Sequence, residues 1–283
     1  MSTPIELGHD QLEAVMASIE IPSCPGLVTQ VMGEAQKDAP DMNSLARIIA
    51  SDVGMSAFAI KLANSSLFRR GDAITSVSPA VTRLGTRNIV CIVVAVALRN
   101  AMSADLPVDV LESFWNQAGA TAMAAGLAAR KLRGVQPDTA YTYALFHDAA
   151  MPVMMRRFKD YAGLLEQATP DGGRLVDEEN RRYHCSHAVV GGLLARNWGL
   201  PGAIADAIRY HHEPELYDPE RLFLGDDALA LVAVTHVAEH LLAELRREVD
   251  TEARDMFEQA SAYLGLSEDD LHDLREVLAN LES

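Results

Sequence analysis

The chain has 283 residues, enough for one large domain or two smaller lobes, because single hydrophobic cores stop growing near this size. Apolar residues make up 49% and charged residues 23%, which excludes a disordered chain, since this composition supplies ample surface to bury. A net charge of −16 repels phosphate backbones and anionic lipid headgroups, so neither nucleic acid nor a membrane is expected as a partner.

Taken in order, the chain reads as helix after helix. The start, MSTPIELGHDQLEAV, lacks a basic segment followed by an apolar run, so no signal peptide is expected. Asn43 or Ser44 can cap a helix through LARIIASD. The polar Asn64 and Ser65 fall near a helix end before Phe68, where satisfying free carbonyls is the expected task. Arg69 and Arg70 read as a solvated turn. Ser78 and Pro79 supply a cap and a first-turn proline ahead of AVTRLG, which Gly85 is placed to end. Thr86 restarts the chain into NIVCIVVAVALRNAM, whose β-branched run could be a buried strand; its length favours a helix apolar on most sides. Its most apolar stretch, 89–98, covers about half of the roughly 20 residues that span a bilayer, and so reads as core.

From Pro107 an alanine- and glycine-rich helical pattern runs until Gly134 and Pro137 close it, a composition suited to close helix packing. Further helices are expected over 138–147, 149–158, 174–183, 186–198, 201–210, 226–247 and 252–263. A last one starts at Ser267, with Asp270 completing a capping box. Residues 171–173 and the acidic stretch 214–227 read as loops. The fold expected is all-α, a two-lobed helical bundle divided at the 103–107 turn into residues 1–106 and 107–283. The cysteines, Cys24, Cys91 and Cys185, are odd in number and widely spaced, which fits a reducing cytoplasm.

One ordered set of residues in the second half could carry chemistry: His147 and Asp148, then His187, then His211 and His212, then Glu239. Imidazoles with carboxylates suit Fe, Mn, Zn, Mg or Ni, and such sites can activate water against a phosphoester. Successive helical residues point about 100° apart, so these residues could share an ion only inside a bundle of several helices. Each also has a plainer reading. His147 and Asp148 could finish a helix end, His187 could be a core-edge histidine, and His211 and His212 could sit at a helix C-terminus for its dipole. Glu239, between His236 and His240, could be surface charge, and those two histidines could chelate adventitiously. Cys185 reads as an inert buried thiol and Trp115 and Trp198 as core. No GxxxxGK loop, GxSxG elbow or CxxC knuckle is present.

The order His-Asp, spaced His, His-His and a late acidic residue resembles the HD superfamily of metal-dependent phosphohydrolases. Further segments narrow the resemblance: IPSCPGLVTQVM, LANSSLF, ITSVSPAVTRLGTRNIV, FWNQAGATAMAAGLA, LFHDAAMPVM, HAVVGGLLARNWGLP and AIRYHHEPE. Together they resemble the HDOD family, the HD-related output domain of bacterial signalling proteins, over residues 21–214. The resemblance implies a helical regulatory domain with an HD-like C-terminal lobe, tied to two-component and second-messenger signalling and usually without demonstrated catalysis. It also marks two departures. HD enzymes generally place a metal-binding histidine where this chain has Gln117, whose amide is a weak ligand, and the last aspartate of the enzymes is replaced by Glu239.

Three functions follow. The first is a cytoplasmic signalling module, non-catalytic or weakly catalytic, that works through contacts with signalling proteins of two-component or cyclic-dinucleotide pathways and could form a homodimer. The second is a phosphohydrolase acting on a nucleotide or cyclic dinucleotide, in which all six residues hold one or two ions and Asp148, as the catalytic residue, also helps to position the attacking hydroxide. The third is a scaffold. The missing imidazole at Gln117 favours the first.

Overall fold

The computed structural model describes residues 19, 22, 24–102, 105–132, 134–168, 175–221, 223–247 and 251–282. Among them the regular structure is entirely helical, with fourteen helices and no strand. The residues expected to form the 171–173 loop, and residues 103 and 104 of the expected lobe boundary, lie outside the described residues.

Helices α1 (Gly26–Ala35), α2 (Met42–Ala50) and α3 (Val53–Ala63) pack on α4 (Val77–Met102). The cap of α2 is Asp41, not Asn43 or Ser44: its carboxylate accepts the Asn43 amide at 2.9 Å. The helix begins at Met42, so the residue with extended backbone is the aspartate, and its charge also complements the helix dipole. Asp52 caps α3 in the same way, accepting the Met55 amide at 2.8 Å. Beyond α3, Asn64 donates to the Ile74 carbonyl at 2.7 Å and accepts the Ile74 amide at 2.8 Å. Arg83 closes the same loop by donating to the carbonyls of Ala63, Arg70 and Asp72. The polar LANSS segment thus serves backbone satisfaction.

Inside α4 the backbone leaves helical geometry at Gly85 alone (φ 74, ψ 169), so two helical segments meet there at a kink, as the sequence anticipates. The run after it is helical despite its β-branched residues. Ile89, Ile92, Val93 and Val94 are all buried, and tertiary burial outweighs the small propensity penalty of such side chains. As a whole α4 is longer than its most apolar stretch suggested. It and α12 (Asp226–Arg246) are long and apolar enough to cross a membrane by length and composition; in both, 61% of the apolar window is buried inside the fold, as in core helices.

The second half is built around α5 (Val108–Lys131), α6 (Pro137–Phe146) and α12. Small buried residues of α5, among them Ala118, Ala122, Ala125 and Ala129, let α6 and α12 lie close against it. Short helices α7 (Met151–Arg157), α8 (Tyr161–Ala168) and α9 (Leu175–Tyr183) follow, then α10 (His187–Asn197) and α11 (Gly202–Tyr210). Helices α13 (Thr251–Leu264) and α14 (Glu268–Glu282) pack against α12, and α14 also against α5. The expected capping box at the start of α14 forms: Asp270 accepts the Ser267 amide at 2.9 Å, and the Ser267 hydroxyl accepts the Asp270 amide at 3.2 Å. Helices α1 and α8 were not anticipated.

The two halves share one apolar core, in which α4 packs on α6 and α7 as well as on α1 to α3. Trp198, fully buried, donates its indole N–H to the Pro22 carbonyl at 2.8 Å and fastens the start of the described chain to the end of α10. The close crossing of α10 and α11 depends on two glycines. A Cβ at Gly191 would stand 2.8 Å from the Ile208 side chain. At Gly192 it would stand 2.9 Å from Arg209 Cβ and 3.0 Å from the Ala205 carbonyl.

Candidate metal centre

That crossing sets the site. His187 is the first residue of α10, held by the Ser186 cap, and His211 and His212 follow the last turn of α11. His147 and Asp148 end α6, and Glu239 projects from α12. All six sequence candidates meet in one pocket. One donor atom from each of Asp148, His187, His211 and His212 lies within 4.8 Å of the others, and the same holds for His147, Asp148 and Glu239. Asp148 belongs to both groups.

The imidazoles are held from behind. His147 Nδ1 lies 2.8 Å from the Ala144 carbonyl, and His211 Nδ1 lies 2.7 Å from the Ile208 carbonyl. Both carbonyls are the free acceptors of a helix end, so the helix-terminus reading of these histidines is correct for one ring nitrogen and leaves the other available. His187 Nδ1 instead faces the carboxylate of Glu179, at 2.8 and 2.9 Å. The Nε2 atoms then converge: His187 Nε2 is 3.2 Å and His211 Nε2 is 3.4 Å from Asp148 Oδ1, and His147 Nε2 is 2.9 Å from Asp148 Oδ2 and 2.8 Å from Glu239 Oε1.

Two kinds of observation bear on whether a cation fits. Asp148 Oδ1, His187 Nε2 and His211 Nε2 are buried and, despite these short separations, none makes a well-directed hydrogen bond. Buried polar atoms are rarely left so, and nitrogen and oxygen atoms aimed at a common point are what a cation collects. The charges agree. Burial opposes a proton on His147, but Asp148 and then Glu239 hold its pKa well above the usual histidine range. At Asp148 burial is outweighed by His147, which keeps the carboxyl well below its usual range, and Glu239 is lowered against burial by the same histidine. His187 is pushed up to about 10, burial being overcome by Glu179 and Asp148. His212 goes the other way: burial, then His211 and His187, push it well below the usual range, so that it is neutral and offers a lone pair. Protons on His147 and His187 occupy places that a divalent cation would take, and its binding would release them.

The other residues singled out in the sequence do not belong to either donor group. Gln117 is exposed on α5. His236 is buried with Nδ1 2.9 Å from the Tyr217 hydroxyl, while His240 stacks on Phe257 at 4.1 Å, so the two do not form a chelating pair. Cys185 is buried, its thiol pushed up to about 12 by desolvation. Three residues of the surroundings escaped sequence reading. Glu179 is fully buried and also accepts the Tyr161 hydroxyl, and the Tyr143 hydroxyl is buried without a hydrogen-bond partner. Glu179 sits in the segment DEENRR, where nothing in the pattern distinguishes one buried carboxylate from its solvated neighbours.

An all-helical fold with a histidine and carboxylate pocket at the meeting of α6, α10, α11 and α12 defines the HD-related class. The chain matches the HDOD domain over residues 21–214, and it belongs to that family. It is 28% identical over 216 residues to an uncharacterized protein of Treponema pallidum (strain Nichols), a match covering 71% of this chain and 40% of that protein, so the chain spans less than half of that relative's length. Solved structures share the fold. An HDOD domain protein of unknown function from Geobacter sulfurreducens superposes with a TM-score of 0.66 and 22% identity, covering 96% of this chain and 92% of that one. A "Putative phosphohydrolase" from Shewanella amazonensis SB2B gives 0.71 and 21%, covering 95% and 94%. A "Putative signal transduction protein" from Marinobacter aquaeolei VT8 gives 0.70 and 21%, covering 98% and 64%.

Proposed function

We propose that this chain is a regulatory HDOD module that holds a divalent cation in the Asp148 pocket and acts through contacts with other signalling proteins in the cytoplasm. The observation that carries the reading is the convergence of the buried, unpartnered Nε2 atoms of His187 and His211 on Asp148 Oδ1. His187, His211, His212 and Asp148 would hold one cation, and His147, Glu239 and the other oxygen of Asp148 could hold a second. Several imidazoles beside carboxylates suit Zn, Mn, Fe or Ni better than Mg, which favours oxygen ligands.

Regulation is favoured over turnover by the donor count. The position where HD enzymes carry another imidazole is Gln117, an amide exposed on α5. Three of its imidazoles are at most 6% exposed, while the Asp148 and Glu239 side chains are 24% and 31% exposed and His212 is half-buried.

A second reading, a phosphohydrolase, is favoured by one feature, the position of Asp148 in both donor groups. Cations held on either side of a shared carboxylate supply Lewis acidity to a phosphoester. In that reading the chain's own contribution is orientation: Glu179 and the Ala144 and Ile208 carbonyls fix the rings, so that the Nε2 atoms of His187 and His211 face Asp148 Oδ1 and that of His147 faces Oδ2.

The test is elemental analysis of untagged wild-type and Asp148→Asn proteins, with a metal-titrated assay on cyclic dinucleotides and nucleotides. Bound transition metal in the wild type, lost in the variant, with no turnover in either, is the expected result. Absence of metal after saturation and desalting would refute the cation reading. Turnover that Asp148→Asn abolishes would replace regulation with the second reading.

A further inference from the structure

Helix α9 is joined to the body through a charge. Its sequence, LVDEENRRY, is polar on most sides, and among its residues Glu179 alone is fully buried. That carboxylate accepts three donors, none of them from α9: the Tyr161 hydroxyl of α8, the His187 backbone amide at 3.1 Å and the His187 ring Nδ1 at 2.8 Å. A buried carboxylate is tolerated only where its charge is paired and its lone pairs are filled. Here the pairing comes from a residue of the cation pocket. Apolar support is slight: Leu175 and Tyr183 are half-buried, and Tyr183 stacks on Phe158 at 4.2 Å. The outer side of α9 carries an exposed ion pair, with Glu178 accepting from Arg181 and from Arg182.

We infer that Glu179 is the positioning residue of the pocket, setting His187 as a ligand from behind and coupling the docking of α9 to cation occupancy. The inference rests on the cation reading above and extends it to regulation. Glu179 accepts the Nδ1 proton of His187, which turns Nε2 toward Asp148 and leaves it as the nitrogen that a cation would take. Lifting α9 away would remove that support and leave the ring free to turn, so the cation would bind more weakly. Linkage makes the effect mutual: a cation that binds the docked form better must itself strengthen docking.

The experiment titrates wild-type, Glu179→Gln and Tyr161→Phe proteins with Co(II), followed by its visible absorption, and maps hydrogen exchange in the wild type with and without the ion. Glu179→Gln preserves size and most hydrogen-bonding capacity but removes the charge. It is expected to keep its helical circular dichroism and bind Co(II) roughly 10–100-fold more weakly. Tyr161→Phe keeps the charge and is expected to stay near wild type. In the wild type, Co(II) should slow exchange across residues 175–183. Wild-type affinity in folded Glu179→Gln would overturn the positioning role. Slowed exchange around residues 147, 148, 211 and 212, with none in 175–183, would overturn the coupling and decides the matter even if Glu179→Gln does not fold. A wild type that takes up no Co(II) would instead defeat the cation reading, and this inference with it.

Discussion

Gly192→Ala isolates the packing on which the pocket depends. The added methyl would stand 2.9 Å from Arg209 Cβ and 3.0 Å from the Ala205 carbonyl, and the latter belongs to backbone, so α10 and α11 would have to part. Gly119→Ala is the matched control, because a Cβ there meets nothing within 4 Å and Gly119 also lies inside a helix. Both changes gain about 0.5–1 kcal/mol from reduced backbone freedom in the unfolded chain. That term cancels in the comparison and leaves the overpacking cost, about 1–3 kcal/mol. Gly192→Ala should therefore be less stable than Gly119→Ala by that difference, measured by urea unfolding followed by circular dichroism. Because His211 and His212 directly follow α11 while α10 begins with His187, Gly192→Ala should also weaken Co(II) binding, whereas Gly119→Ala should not. Equal stability of the two variants, together with unchanged Co(II) affinity, would refute the claim that this helix crossing assembles the donors.

Two further outcomes follow from burial. Cys91 and Cys185 are buried, with thiols pushed up to about 12 by desolvation, while Cys24 is half-buried; native protein treated with iodoacetamide should be modified at Cys24 alone, and all three sites should react in denaturant, as read by peptide mass spectrometry. The Tyr143 hydroxyl is buried without a partner, so Tyr143→Phe should leave stability unchanged or raise it by about 1–3 kcal/mol in denaturant unfolding; a loss of that size would mean that the hydroxyl is satisfied in solution.

Local signals in the chain were sufficient for most of the architecture. Ser267 and Asp270 marked a helix start, Gly85 a break and Gly134 a stop, because caps and glycine turns are settled within a few residues by hydrogen bonding and backbone freedom. The six candidate residues that meet in the pocket could be picked out as well, since imidazole and carboxylate are uncommon at core positions and stood in a recognisable order. The sequence could not separate ligand from helix cap at His147 and His211. In the structure each ring has one nitrogen on a helix carbonyl and the other facing Asp148, an arrangement that depends on ring orientation rather than residue type. The cap of α2 was misplaced by two or three residues because Asp41, Asn43 and Ser44 all carry suitable acceptors and only the path of the chain chooses among them.

What the tertiary structure alone decided is the company each charge keeps. Glu179 looks like its neighbours in a charged helix, yet it is buried against His187 because α8, α9 and α10 meet there. Glu239 could have been one more surface acid on an acidic protein, but the close packing of α12 on α6 sets it 2.8 Å from His147. Residue type and spacing determine which groups can bind a cation. Whether they face one another is fixed by contacts between segments far apart in the chain, and no local pattern encodes those.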